Sequence, residues 1–177
     1  DLITISAGIL KVIGTLSDQT DVNVKSNAVY KVASTDTVGS IAGSGSIQVF
    51  DGHVLTFGGS GIDTEFSGVI RDKGGITKVG PDKTSTTTLS GSNTYSGVTT
   101  VDSGVLRVTG SLGGTPTINI SKGATLKVVE DKDSGSKGEL NDSVAVNVAE
   151  GAEYISDTDD AIGTISGHGK IKLFNSY

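Results

Sequence analysis

The chain of 177 residues has no cysteine, no methionine and no tryptophan, and only two prolines. Without cysteine there is neither a disulfide framework nor a thiolate metal site. Secretion stays open, because a chain that crosses a membrane unfolded gains from carrying no disulfides. Helical periodicity is missing as well: no stretch places apolar residues at i, i+3, i+4 and i+7. No apolar run reaches the ~18 residues of a membrane span, and the chain starts at Asp1 without a signal peptide or targeting motif. It reads as a piece of a longer polypeptide. Positive charge is scarce, with 14 Lys and Arg against 20 Asp and Glu. The net charge of −6 argues against nucleic acid and against direct membrane insertion or anionic membrane surfaces.

What is abundant points one way. Glycine occurs 26 times, and Val, Ile, Thr and Ser dominate the rest. β-Branched residues suit a pleated, half-buried surface, and glycines permit tight corners between short strands. An apolar share of 34% is low for one globular core of this length. It suits a thin core running along the axis of a solenoid.

The chain also repeats itself. Residues 3–32 align with 99–128 at an offset of 96, with Gly8/Gly104, Leu10/Leu106, Val12/Val108, Gly14/Gly110 and Lys31/Lys127 identical. A second match lies at an offset of 124, where VGSIAGSGSIQVF (38–50) meets IGTISGHGKIKLF (162–174). The offsets differ by 28 residues, read here as about one coil of a wide solenoid. Strands such as Leu2–Ser6, Ile9–Ile13, Glu65–Ile70, Thr86–Leu89, Thr125–Val128 and Lys170–Phe174 alternate apolar and polar residues, with Gly, Asn, Asp and Ser between them. That spacing also fits an antiparallel sandwich. Against the sandwich, Asn-Gly and Asp-Gly hairpin turns are nearly absent, Asp51-Gly52 being the exception, and equivalent strands recur at coil-length spacing. The reading is all-β, a parallel β-helix across 1–177, with repeat copies 3–50 and 99–174 and an extra coil at about 118–145. At 20–25 residues per coil it makes roughly seven or eight coils, about 35–40 Å long.

Residues 74–109, GGITKVGPDKTSTTTLSGSNTYSGVTTVDSGVLRVT, resemble the autotransporter-associated β-strand repeat of type V secreted passenger domains. The matching positions are Gly74, Gly75, Ile76, Thr77, Lys78 and Gly80, then Thr88–Gly91, Asn93–Gly97, Thr99–Val101, Gly104, Leu106 and Val108. Val54–Gly61 and Phe66–Ile70 match the usual upstream part, so the repeat core spans 54–109. The lengthened Pro81–Ser85 turn and the extra coil after Lys127 depart from the pattern. The resemblance implies a right-handed β-helix displayed on, or released from, a Gram-negative cell surface. It also implies export by a C-terminal β-barrel in the full-length chain. It names no ligand, since such repeats serve adhesins, toxins and stalks alike.

Candidate chemistry is sparse. Gly58-Gly59-Ser60-Gly61-Ile62-Asp63 fits the start of a calcium-binding nonapeptide, but tandem copies are missing and Glu65 stands where an apolar residue belongs. Asp157-Thr158-Asp159-Asp160 is acidic and is read as a solvated turn. His53 and His168 are the two histidines; His168 is expected in an exposed corner, and no nucleophile elbow accompanies either. A polysaccharide-active site of gathered carboxylates remains a third-ranked alternative, with few aromatics for a glycan cleft. No catalytic residue, metal ligand or cofactor is assigned. Asn23, Asn119 and Asn147 align in the V-N-V segments, either as an amide ladder or as exposed polar positions.

One segment escapes the repeat. Glu130–Gly138 is charged, apolar-free and broken by glycine, so Glu130, Asp131, Lys132, Asp133 and Lys137 form a candidate partner-binding loop. The functional expectation is a non-enzymatic passenger segment serving adhesion or self-association, with like passengers, a host cell-surface protein or matrix as partner. The alternative is a secreted effector that engages one host receptor.

Overall fold

The computed structural model describes residues 1–174, which contain 23 short strands and no helix among them. Every pairing between these strands is parallel, as from Leu2 against Asp21 and Asp21 against Ser40. Like therefore stacks on like, and the sandwich reading falls away. The result is a β-solenoid of about nine turns with three faces.

The first face is a nine-stranded sheet from Leu2–Ile5 to Lys170–Leu173. The second starts as four strands, Gly8–Val12, Ala28–Val32, Ser46–Val49 and Val69–Arg71. It continues through the two-residue strands Ser92–Asn93, Ser111–Leu112 and Glu139–Leu140. The third runs over seven strands, from Asp36–Val38 to Thr164–Gly167. Nine rungs on the first face give eight steps of ~4.8 Å, so the stack is about 38 Å long.

Strand alternation builds the core. On the first face Val24, Phe66, Leu89, Val108 and Val128 point inward and are fully buried or nearly so, while the residues between them face out. On the third face Val38, Phe57, Val101, Ile120 and Val148 form an equivalent inward column. The axis is thus a narrow apolar seam into which Tyr30, Tyr95 and Tyr154 are also buried. The first coil leaves Leu2 and Ile9 uncovered, and the last leaves Leu173 and Phe174 uncovered.

Corners are made by a stacked glycine column. A Cβ on Gly68 would lie 1.9 Å from the Gly45 carbonyl oxygen, and one on Gly91 would lie 1.8 Å from that of Gly68. Successive backbones approach so closely there that no side chain fits. The column explains why the four central strands of the first face, Ser40–Gly43, Thr64–Phe66, Thr86–Leu89 and Val105–Val108, are each followed by Ser-Gly or Thr-Gly.

Several expectations need correction. The 28-residue step is the exception: Thr125 pairs with Glu153 at that spacing, whereas Asp21–Ser40 and Glu153–Lys170 are 19 and 17 apart. The extra length is the Glu130–Gly138 excursion. The strand expected at Glu65–Ile70 breaks at Gly68 into Thr64–Phe66 and Val69–Arg71, one on each side of a corner. Asp36–Val38, Ser40–Gly43 and the three two-residue strands carry too little alternation to be read from sequence. The sequence copies also land on different faces. Gly8–Val12 lies on the second face but its counterpart Val105–Val108 on the first; Leu2–Ile5 lies on the first, and Thr99–Val101 on the third. The repeating unit is therefore two strands around one corner, rotated by one face between copies.

Candidate functional site

Two outer regions carry the side chains that a partner would meet. The first is the excursion. It leaves after Val128 and closes on itself: Glu130 bridges Lys137, the Asp131 N–H donates to the Ser136 carbonyl at 2.7 Å, and the Gly135 N–H to the Asp131 carbonyl at 2.6 Å. The Asp131 carboxylate accepts the Ser134 hydroxyl at 2.9 Å and the Asp133 N–H at 3.2 Å. These bonds, with Arg107 nearby, hold its carboxyl below the usual carboxylate range. The excursion is a self-bonded knob rather than an open loop. Lys132, Asp133 and Lys137 are exposed on it, Asp131 is half-buried as its internal acceptor, and Glu130 forms its neck.

The knob's base explains the acidic run that follows. Asp157 accepts the Glu130 N–H at 2.8 Å, and Asp160 accepts the Leu140 N–H at 2.7 Å. Burial holds the Asp160 carboxyl above the ordinary range, which the Leu140 hydrogen bond partly offsets. Asp157–Asp160 is therefore a brace between coils and not merely a solvated turn. Its counterpart in the first copy is Asp36, which accepts the Leu16 N–H at 3.0 Å and the Tyr30 hydroxyl at 2.9 Å. Leu16 and Leu140 are the same positions of the two copies, so the Leu N–H to Asp bond is used twice, whereas of the equivalent Tyr30 and Tyr154 only Tyr30 bonds the carboxylate.

The second region is the outer surface of the third face. Its strands place Thr37, Thr56, Thr77, Thr100, Asn119, Asn147 and Ser166 in one unbroken outward column. The column beside it holds Val54, Gly75, Thr117, Ala145 and Thr164. Neither column contains a charge. The Asn147 amide donates to the Asn119 side-chain oxygen at 2.8 Å, and the Ser166 hydroxyl donates to that of Asn147 at 2.6 Å. An amide ladder is thus real at two of the three expected asparagines. Asn23 is not part of it, because it sits on the first face.

The other candidates resolve into scaffolding. In Gly58–Asp63 the Ser60 hydroxyl donates to the Gly39 carbonyl, and Asp63 accepts the Thr86 N–H at 2.7 Å. Asp63 is thus engaged by the neighbouring coil. His53 follows the Asp51-Gly52 turn, and exposed His168 sits between the last two strands, far along the chain. No group of three His, Cys, Asp or Glu side chains suited to a metal occurs among the described residues. No helix long and apolar enough to cross a membrane occurs among them either.

Sequence reasoning missed three buried polar residues in the repeat core. Asn93 is fully buried; its side-chain oxygen accepts the Ile70 N–H at 2.9 Å, and its amide donates to the Gly91 and Ser111 carbonyls at 3.0 and 3.2 Å. Tyr95, also buried, shares a 2.6 Å hydrogen bond with Thr99, which donates to Thr115 at 3.1 Å. Lys78 stands between Phe57 and Val101 in the inward column of the third face, donates to the Val79 carbonyl, and has its pKa pushed down to about 8 by burial. All three belong to the motif quoted above, where their fixed identity was the available signal.

With that geometry in place, residues 84–108 match the family described as Passenger-associated-transport-repeat. The match covers one coil, from Thr84 through Thr86–Leu89, Ser92–Asn93 and Thr99–Val101, and the first strand of the next, Val105–Val108. The chain therefore carries an autotransporter passenger repeat, within the segment whose motif resembled one. That repeat family implies a secreted or surface-displayed protein. No curated protein and no solved structure matches the chain.

Proposed function

We propose that this segment is a stiff, laterally adhesive rod within an autotransporter passenger, acting as a scaffold for adhesion and self-association without catalysis of its own. The observation that carries the reading is the uncharged outward column from Thr37 to Ser166. Copies of a chain with net charge −6 repel one another. A flat face bearing only hydroxyls, amides and small apolar groups lets two copies approach without burying an unpaired ion. Seven rungs at ~4.8 Å, one strand wide, offer roughly 400 Å² per partner, at the weak end of specific interfaces. Many copies on one cell convert such weak contacts into firm adhesion through avidity. In the full-length chain the remaining partner is a C-terminal β-barrel translocator that brings the rod to the surface.

The test displays the segment on cells and measures clumping in the absence of host partners. Wild-type display should clump cells, and Thr77→Lys with Asn119→Lys should disperse them. Clumping unchanged by both lysines would overturn the assignment to this face. A second reading, a receptor-binding effector, is favoured by Lys132, Asp133 and Lys137 on the exposed end of a knob fixed to a rigid scaffold. It predicts saturable binding of the isolated segment to host cells, lost when residues 131–136 are replaced by Gly-Ser.

A further inference from the structure

The second face differs from the rest of this acidic molecule. Its outward positions on the first four rungs form two columns, one of Ile9, Val29, Ser46 and Val69, the other of Lys11, Lys31, Gln48 and Arg71. There is no carboxylate in either column. Lys11 stacks directly on Lys31, one rise apart, and Arg71 lies two rungs beyond, so three cations span about 14 Å along the axis. Like charges on adjacent rungs destabilise a sheet unless something neutralises them. The ion pairs found among the described residues involve Lys170 and Lys172 with Glu153, not these three. One acid reaches the row, Asp72, which follows Arg71 in sequence. Its carboxylate is occupied by the Gln48 side-chain amide at 2.8 Å and by the Lys73 N–H at 2.9 Å.

The second sequence copy repeats the device. Arg107 and Lys127 occupy the positions of Lys11 and Lys31 and likewise stack on adjacent rungs. There the excursion brings Asp131 near Arg107, and that charge helps hold the Asp131 carboxyl ionised. The chain thus places a carboxylate near one of two equivalent basic pairs and none in the columns that hold the other.

We infer that the Lys11–Lys31–Arg71 row is a binding track for an acidic polysaccharide, a sulfated or uronate-rich chain lying along the solenoid axis. The row faces outward along the axis, with Lys11 and Lys31 one rung apart and Arg71 two rungs on, its Nε–H donating to Ser46 at 2.9 Å; an extended set of cations suits a linear polyanion better than a single small ion. The flanking Ile9, Val29 and Val69 offer apolar contact to the sugar ring faces. Overall net charge does not oppose this, because at physiological ionic strength charges beyond about 8 Å are screened and the local row decides. The track lies on a different face from the uncharged column and stands apart from the self-association reading.

The experiment measures binding of the isolated segment to heparin, with neutral dextran as control, as ionic strength rises. Heparin should bind at low salt, dextran should not, and affinity should fall steeply as salt displaces the contacts. Lys11→Gln/Lys31→Gln/Arg71→Gln should lose about tenfold or more and flatten the salt dependence. Arg107→Gln/Lys127→Gln should stay within about twofold of wild type, since the Asp131 carboxylate near Arg107 weakens that pair's hold on an anion. Circular dichroism melting of both variants reports whether the fold is intact. Equal binding of heparin and dextran, or a correctly folded triple variant that binds heparin like wild type, would overturn the proposal.

Discussion

Replacing Asn93 by alanine should show how the repeat motif holds successive coils together. The side chain is fully buried and spans three rungs: it accepts from Ile70 below, donates to Gly91 of its own corner, and donates to Ser111 above. Gly91's carbonyl keeps the Ser111 N–H, at 3.1 Å, when the side chain is removed. The Ile70 N–H has no such substitute, and an orphaned buried donor costs about 1–3 kcal/mol. The lost amide bond to Ser111 and the vacated volume bring the total to about 3 kcal/mol. For a chain of this size that lowers Tm by about 6–12 °C. Thermal and urea unfolding followed by circular dichroism read the effect, with Ser92→Ala on the exposed neighbour as a control within about 0.5 kcal/mol of wild type. Asn93→Asp should be at least as damaging as alanine. It keeps the acceptor for Ile70 but turns a carboxylate oxygen toward two carbonyls. An Asn93→Ala protein within about 1 kcal/mol of wild type would refute the idea that this side chain stitches the coils.

Other consequences follow from the same structure. Gly91→Ala drives a Cβ into the Gly68 carbonyl and should cost several kcal/mol or prevent folding, whereas Gly59→Ala meets nothing within 4 Å and should be nearly neutral by the same melts. Lys78 titrates at about 8 in the folded chain against 10.5 unfolded, so the unfolded state binds more protons between those values. Stability should therefore rise from pH 8 towards pH 10, and Lys78→Met should be more stable than wild type at pH 7 and lose that rise, as urea midpoints across pH will report. Tyr30→Phe removes a hydrogen bond to buried Asp36 and should cost about 1–3 kcal/mol. Tyr154→Phe, whose hydroxyl does not bridge to Asp160, should cost visibly less in the same unfolding series.

The sequence carried the fold class well because its evidence was periodic. Residues such as Ile118-Asn119-Ile120 and Val146-Asn147-Val148 alternate cleanly, and their 28-residue spacing is the true register of those strands. What it could not carry was the face on which each copy lies. Coil length varies from 17 to 28 residues, and the variation sits in corners and excursions with no apolar pattern. A shift by one face leaves Leu10 and Leu106 both packed against the core, Leu10 partly and Leu106 fully buried, so alignment alone does not register it. For the same reason the threonine column of the third face was invisible: Thr37, Thr56, Thr77 and Thr100 meet only once the unequal coils are stacked. The asparagine ladder was half legible, since Asn119 and Asn147 share a face and Asn23 does not. The excursion was found from its charge and glycine content. Its closure on itself and its brace from Asp157 depend on backbone bonds that composition does not encode.

The stacked-coil account is tested most directly by excising one coil. Removing Ile118–Ala145 joins Thr117 to Val146 and sets Tyr154 on Leu106, inward residue on inward residue, in place of Leu126. Stability in such a stack is nearly a sum of coil and interface terms, so the shortened chain should fold. Far-UV circular dichroism should retain the β spectrum, and urea should unfold it in one cooperative transition. Deleting only Ile118–Asp131 breaks the register and should leave an aggregating product. A 28-residue deletion that fails to fold while the half-coil deletion is tolerated would contradict the parallel solenoid itself.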